Sequence, residues 1–437
     1  MKSYVLIPSV IALAVLAACG KKEEPAAPPA APPAAAPAPE ASAPAAAPAA
    51  DASSAAAAPA AGGAEQVKIG MITDMSSLYS DVEGKNGVLA IQMAIDDFGG
   101  KALGQPIELM SADHQNKADI AASKAREWID TQGVTMVFGG TNSGTALATA
   151  KVAEEKKRVY FNNGAGSSAL TNEQCSPYTV HYAYDTVALA KGTGSAVVDR
   201  GGKSWFFLTA DYAFGQALEA DTTTVIKAKG GTVVGSVKHP LNASDFSSFL
   251  LQAQNSKAQI LGLANAGGDT INSIKAAKEF GIDKTMKTAG LLVFLSDIHS
   301  LGLKNTAGLL HTTSWYWDLN DETRKWAQRF FDKTQRMPTD VQAADYSATM
   351  TYLKAVEAAK TTDADKVMAE LKSMKIDDFF GKGQIRADGS FIHDMYLVEA
   401  KKPEDSKKPW DYLKVLSTLP GDQVFTTKAE TKCALWK

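Results

Sequence analysis

The stretch MVFGGTNSGTALATA, Met136–Ala150, decides how this chain is read. The apolar run Met136–Phe138 stops at two glycines, Thr141, Asn142 and Ser143 follow, and an Ala-rich segment of helical character comes next. A strand has ended and a helix has begun, with bare backbone and small hydroxyls at the junction. A helix start leaves amides unpaired and carries roughly half a positive charge. Small residues let an anion approach those donors closely, so the junction suits a small anionic head group such as a carboxylate. Capping of the helix by Asn142 or Ser143 uses the same side chains and is compatible with that role.

The same unit repeats along the chain. VKIGMIT (67–73) precedes a helix around Gly87–Phe98, PIELMSAD (106–113) precedes Ala118–Thr131, and VTMVFGG (134–140) leads into Ser143–Glu155. RVYFNNG (158–164) runs into a loop, and SWFFLTAD (204–211), GTVVGSVKH (231–239), AQILGLANA (258–266) and TMKTAGLLVF (285–294) each adjoin a helical segment. Strands alternating with helices predict an α/β fold of mostly parallel sheets flanked by helices on both faces. In such sheets the ligand crevice lies beyond the carboxyl ends of the strands. The polar and glycine-rich clusters Asp74–Ser77, Gly139–Ser143, Asn162–Ser168, Thr209–Gly215 and Asn265–Asp269 all sit there. Each alone reads equally well as a turn; all five at one end of the sheets point to a binding crevice.

A chain of 437 residues is comfortable for two lobes. With a formal charge of −3 and no block of Lys or Arg, nucleic acid is not an expected partner. The opening MKSYVLIPSVIALAVLAAC reads as a signal peptide over residues 1–18, with Cys19 placed for lipidation and membrane anchoring; ordinary secretion is the alternative. Residues 19–65, nearly all Ala, Pro and small polar residues, read as a tether with nothing to bury. The two other cysteines, Cys175 and Cys433, can form a disulfide in an oxidising compartment, worth on the order of 5 kcal/mol by loop entropy; two unrelated thiols are the alternative.

Catalytic and metal-binding signatures are missing. His114, His181, His239, His299, His311 and His393 show no ligand spacing, and there is no HExxH, CxxC, GxSxG or phosphate loop. Gly139, Gly140 and Gly144 do not make a dinucleotide fingerprint. No cofactor and no metal are expected, and the chain reads as one that binds and releases, not as an enzyme.

Four segments carry a family likeness: VKIGMITDMSSLYSDVEGKNGVLAIQMAIDDFGG, VTMVFGGTNSGTALATAKVAEEKKRVYFNNGAGSSALT, WFFLTADYAFGQALE and AQILGLANAGGDTINSIKAAKEFG. Over Val67–Ala400 the chain resembles the type I periplasmic solute-binding proteins of the branched-chain amino-acid class of ABC importers, including a branch that binds aromatic acids. The resemblance implies two lobes, 67–186 plus 315–391 and 187–314 plus 392–437, joined by hinge crossings near Tyr184–Ala188, Thr312–Asp318 and Phe391–Tyr396. It implies a periplasmic, membrane-anchored monomer that closes on a small molecule by a hinge motion and docks on an inner-membrane ABC permease. An envelope lipoprotein of the same fold that regulates a partner protein is the alternative.

The likeness also distributes roles. Asn142 and Ser143, with the loop Gly164, Gly166 and Ser167, match the carboxylate-binding loops, and Phe214 matches an aromatic position that covers the ligand. Leu291 stands where amino-acid binders carry the acid that meets the ammonium group, and Asp211 or Asp269 on neighbouring loops could substitute. Ser77, Tyr79, Tyr212, Asn265 and Trp315 complete the expected site, with Tyr316 and Trp317 beside it. Stacking faces and a carboxylate cradle without an ammonium partner favour an aromatic carboxylate; a branched-chain or other apolar amino acid is the alternative.

Overall fold

The computed structural model describes residues 65–437; the residues read as signal peptide, the lipidation site Cys19 and all but the last residue of the tether lie outside them. Glu65 is already fastened to the body, its carboxylate accepting from the Thr361 and Thr362 hydroxyls at 2.9–3.0 Å. The body therefore starts two residues earlier than the apolar pattern indicates.

The first sheet is parallel and built from β1 (Lys68–Thr73), β2 (Glu108–Asp113), β3 (Met136–Gly139), β4 (Val159–Asn162) and β5 (Thr179–His181), in the order β2-β1-β3-β4-β5. Its central strands are buried on both faces, as their unbroken apolar runs require. Helix Gly84–Asp97 packs with helix Asp340–Ala359, and helix Ala118–Glu127 packs with helix Ser143–Glu155. The second parallel sheet contains β6 (Ser204–Ala210), β7 (Thr232–His239), β8 (Ile260–Ala264) and β9 (Lys287–Gly290), in the order β9-β8-β6-β7. The edge strand β7 alternates between exposed and half-buried side chains because one of its faces meets water. The run TMKTAGLLVF leaves the sheet at Gly290, so Leu291–Phe294 form a loop before helix Leu295–Leu301.

Two small sheets lie by the crossings. β14 (Met395–Ala400) lies between β10 (Leu310–Thr313) and β15 (Leu413–Leu419) and runs antiparallel to both, and β10 packs beside β9. β11 (Lys375–Asp377), β12 (Lys382–Ile385) and β13 (Phe391–Ile392) join the first sheet through the bridge His181–Ser390.

The tail departs from the expected division. β15 runs back toward the crossings, with Leu419 opposite Met395, so the chain leaves it at the hinge. Residues after Phe425, assigned from the sequence to the second lobe, touch first-lobe groups as well as Lys191 of the second lobe. The Arg386 guanidinium donates to the Thr426 carbonyl at 2.7 Å, and the Lys432 amide donates to Asn172 Oδ1 at 3.1 Å. Cys175 and Cys433, 258 residues apart in sequence, are joined in a disulfide with Cα atoms 5.7 Å apart.

Candidate functional site

The glycine pair after β3 is required by close approach. Gly139 and Gly140 have φ of 137° and 107°, and a Cβ on Gly139 would sit on the Ile72 carbonyl of the neighbouring strand. The chain can then turn sharply into helix Ser143–Glu155. Asn142 caps that helix: its Oδ1 accepts from the Gly144 amide at 2.8 Å and the Thr145 amide at 3.2 Å. Ser143 Oγ accepts from the Ser167 amide at 3.1 Å, tying the two loops together. The Gly144 and Thr145 amides are held by the chain's own Asn142, so the helix start offers fewer open amides than its sequence suggests. Asn142, Ser143 and Ser167 build the loops and are not among the residues that border the small cavity between the lobes.

The loop after β1 is organised by the buried carboxylate of Asp74. It accepts from the Ser77 amide and hydroxyl, both at 2.9 Å, from the Tyr79 amide at 2.8 Å and from Asn116 Nδ2 at 2.7 Å. Ser77 is spent on this staple and borders an outer crevice of about 400 Å³, shared with Asn242 and Ser296, at the mouth of the cleft. The staple pushes Tyr79 toward the other lobe.

Between the lobes lies a small cavity of about 10 Å³, room for roughly one water. The first lobe supplies Tyr79, Val82, Thr141, Gly164 and Gly166; the second supplies Tyr212, Phe214, Ala266, Leu292 and Phe294. The lobes touch across it. The Tyr79 and Tyr212 hydroxyls are 2.6 Å apart, the Gly268 amide donates to the Leu78 carbonyl at 3.3 Å, and Gly166 faces the Phe214 ring. Deeper on the same side, Ser168 Oγ donates to Asp221 at 3.0 Å. Burial raises both phenol pKa values well above the usual range, so each keeps its proton. None of the ten wall residues carries a charge.

Several expected site residues stand elsewhere. Leu291 is fully buried beside the wall, and the neighbouring Leu292 and Phe294 take its place. Asp269 accepts from the Asn242 and Ala243 amides, both at 3.1 Å, and fixes that loop; burial raises its pKa to about 6. Asp211 is exposed and paired with Lys238 at 3.0 Å, which lowers its pKa. Neither acid lines the cavity. Asn265 is locked by Thr270 at 2.8 Å and His239 at 3.2 Å. Trp315 packs edge-on against Trp326 and Phe379 and donates to the Phe379 carbonyl at 3.1 Å, so it belongs to the first lobe's core. Tyr316 and Trp317 both donate to the Trp410 carbonyl. Val82, Ala266, Leu292 and Phe294 were not anticipated, because an apolar loop residue reads as core.

Beneath the first-lobe loops lie two buried carboxyl groups. Thr73 donates to Glu83, and Asn163 Nδ2 donates to Asp345 Oδ1 at 2.7 Å. Burial raises both pKa values; the Glu83 charge pushes Asp345 up further, so Asp345 keeps its proton, while hydrogen bonds from Thr73 and Asp345 hold Glu83 to about 7. A larger groove of about 740 Å³ lies at the amino ends of the second sheet's strands, bordered by Arg200, Lys278 and Lys287, away from the loops described above. Among the described residues no group of three or more His, Cys, Asp or Glu is placed to hold a metal ion, and no helix is long and apolar enough to cross a membrane.

The family model described as periplasmic binding protein matches residues 66–407. The chain belongs to the periplasmic binding protein family. This binding protein is 69% identical to a periplasmic binding protein of known structure from Burkholderia mallei, covering 86% of this chain and 100% of that one, with a TM-score of 0.85. It is 27% identical over 360 residues to Leu/Ile/Val-binding protein homolog 6 of Brucella melitensis, covering 78% of this chain and 89% of the relative. In fold it matches a solute-binding protein of an ABC transporter from Rhodopseudomonas palustris, solved with 4-hydroxybenzoate, at 23% identity, 82% and 98% coverage and a TM-score of 0.74. Family and fold are those of periplasmic proteins that bind small molecules and deliver them to ABC transporters, not those of enzymes.

Proposed function

We propose that this binding protein captures a small aromatic carboxylate between its lobes and hands it to an inner-membrane ABC permease. The observation that carries this reading is the make-up of the wall: three apolar aliphatic side chains, four aromatic rings and no charge. A carboxylate has Thr141 Oγ1 and the backbone of the Gly164–Gly166 loop to turn to, while its ring lies between Tyr79, Tyr212, Phe214 and Phe294. An α-amino acid would leave its ammonium group without a counter-charge in that wall, at a cost of several kcal/mol. The fold neighbour that holds 4-hydroxybenzoate supports the same class.

The branched-chain amino-acid reading keeps one observation in its favour. Asp269 follows Gly267 and Gly268, which meet Tyr79 and the Leu78 carbonyl across the cleft, so an acid lies just behind the wall. Titration calorimetry with benzoate, 4-hydroxybenzoate and leucine separates the two. Binding of the benzoates with leucine inert is the expected result; leucine binding with the benzoates inert overturns the proposal. Cys19, at the end of the signal segment, fits a lipid anchor that holds the monomer on the membrane.

A further inference from the structure

Three stretches of main chain cross between lobes in this fold, and the structure contains a further connection at the hinge. β15 belongs to the sheet beside β9 of the second lobe and ends at Leu419, opposite Met395 in the third crossing. From there the tail runs over the hinge. Phe425 packs edge-on against His393, with ring centres 5.6 Å apart. The tail then holds both lobes at once. Lys191, early in the second lobe, is 2.8 Å from Glu430. On the first-lobe side Arg386 donates to the Thr426 carbonyl, stacks at 3.9 Å on the Trp436 ring and lies in the turn that joins the first sheet through Ser390. Lys432 reaches Asn172 through its amide and Glu173 through its ammonium group at 2.5 Å. Cys433 is fully buried and bonded to Cys175, three residues further along the same first-lobe loop as Asn172.

We propose that residues 420–437 are a fourth crossing, closed by the Cys175–Cys433 disulfide, that limits how far the lobes part. The three main-chain crossings alone are free to bend together at a hinge. A covalent fourth tie, anchored in the second-lobe sheet at one end and in a first-lobe loop at the other, removes part of that freedom. Hydrogen bonds and exposed ion pairs along the tail would yield to a wide opening, since surface pairs are individually weak; the disulfide would not. The cavity has room for roughly one water when the lobes touch, so every larger guest has to pass through the open state whose width this tie sets.

The test needs no ligand and does not depend on what the cleft binds. Spectroscopic labels are placed through genetically encoded azide-bearing residues at the exposed positions Lys117 and Ser244, which follow β2 and β7 at the mouth of the cleft. Interlobe distance distributions are recorded on the unliganded protein, oxidised and after dithiothreitol. The reductant becomes its cyclic disulfide as the Cys175–Cys433 bond becomes two thiols. The expected result is a shift of the mean to longer distance and a broader distribution after reduction, with the same shift in Cys433→Ser without reductant. Circular dichroism on each sample shows that the fold persists; if Cys433→Ser does not fold, the reduced natural protein decides alone. Superimposable distributions in oxidised and reduced protein overturn the proposal.

Discussion

Gly166→Ala isolates the step in which the lobes meet. Gly166 lies on the first lobe with φ outside the left-handed region, so alanine brings no backbone strain. Its added Cβ would stand 2.9 Å from Phe214 Cε2 and 3.3 Å from Phe214 Cδ2 on the second lobe, and 3.1 Å from Tyr184 Cε2. Those are contacts that a rigid ring, held by packing on helix Ala213–Ala228, cannot avoid by rotating away. Overpacking of this kind costs about 1–3 kcal/mol. The Phe214 part of that penalty, two contacts of the three, falls on closure because the open protein separates Gly166 from that ring, while the Tyr184 contact within the first lobe is felt in both forms. The affinity for a benzoate is expected to drop about 5- to 150-fold, while the melting temperature of the unliganded protein moves little. Calorimetric titration gives the first quantity and a thermal scan the second. The pair with Phe214→Ala completes a double-mutant cycle: once the ring is gone the wedge has less to strike, so the added cost of Gly166→Ala should shrink by at least about 1 kcal/mol. Unchanged affinity in Gly166→Ala, or a cost that stays the same without Phe214, refutes the reasoning that these two residues meet in the closed, liganded form.

Phe214→Ala alone should weaken 4-hydroxybenzoate more than leucine when both are titrated, since only the former loses a stacking face; equal losses remove Phe214 from ring recognition. Thr141→Val keeps the shape and deletes the hydroxyl, and should weaken benzoate by about 1–3 kcal/mol without lowering stability by as much; benzyl alcohol, which has no charge to lose, serves as the control ligand. The buried pair Glu83 and Asp345 gives a pH signature. Both carboxyl pKa values are raised in the fold, so the stability they contribute is complete below the unfolded carboxylate range and is lost as pH rises through the folded values. Denaturant unfolding of Glu83→Gln/Asp345→Asn between pH 5 and 8 should show a flatter fall with rising pH than the natural protein, by up to about 1.4 kcal/mol per pH unit for one proton. Identical slopes would mean that the pair holds no extra proton.

What was legible in the sequence was local. The strand β3, its two glycines and the helix Ser143–Glu155 occupy the bounds that the apolar run and the small residues indicate, because sterics at Gly139 and capping at Asn142 act within a few residues. Tyr79, Tyr212 and Phe214, named in the expected site, border the small cavity between the lobes. What was not legible was whatever depends on distant partners. The fate of Asp269 is decided by amides at Asn242 and Ala243, on another loop, and that of Trp315 by Trp326 and Phe379. Ser143 and Ser167 satisfy each other, so side chains that look like ligand donors become the brace that spaces two loops. The wall residues Leu292 and Phe294 were hidden for a different reason. In LLVF nothing distinguishes the end of a buried strand from an apolar loop, and Gly290 is the only mark of where the strand stops.

The make-up of the cleft has a consequence for how selection works here. With no charge in the wall, the protein cannot discriminate among guests mainly by ion pairing. What remains is shape and hydrogen bonding at the moment of closure: a guest that the walls can close over lets cross-lobe contacts of the kind seen between Tyr79 and Tyr212 and between Gly268 and Leu78 form, and a guest too large prevents them. Those contacts lie around the guest, so each is gained only in the closed form and adds to the affinity of any guest that permits closure. A poor guest can therefore touch the walls and still bind weakly, because it forfeits the cross-lobe bonds. Loss of the phenol pair, by Tyr79→Phe with Tyr212→Phe, should accordingly lower affinity for all permitted guests by a similar factor and leave their ranking intact. A changed ranking would place the hydroxyls on the guest itself, and the selectivity of the site would then reside in direct contact.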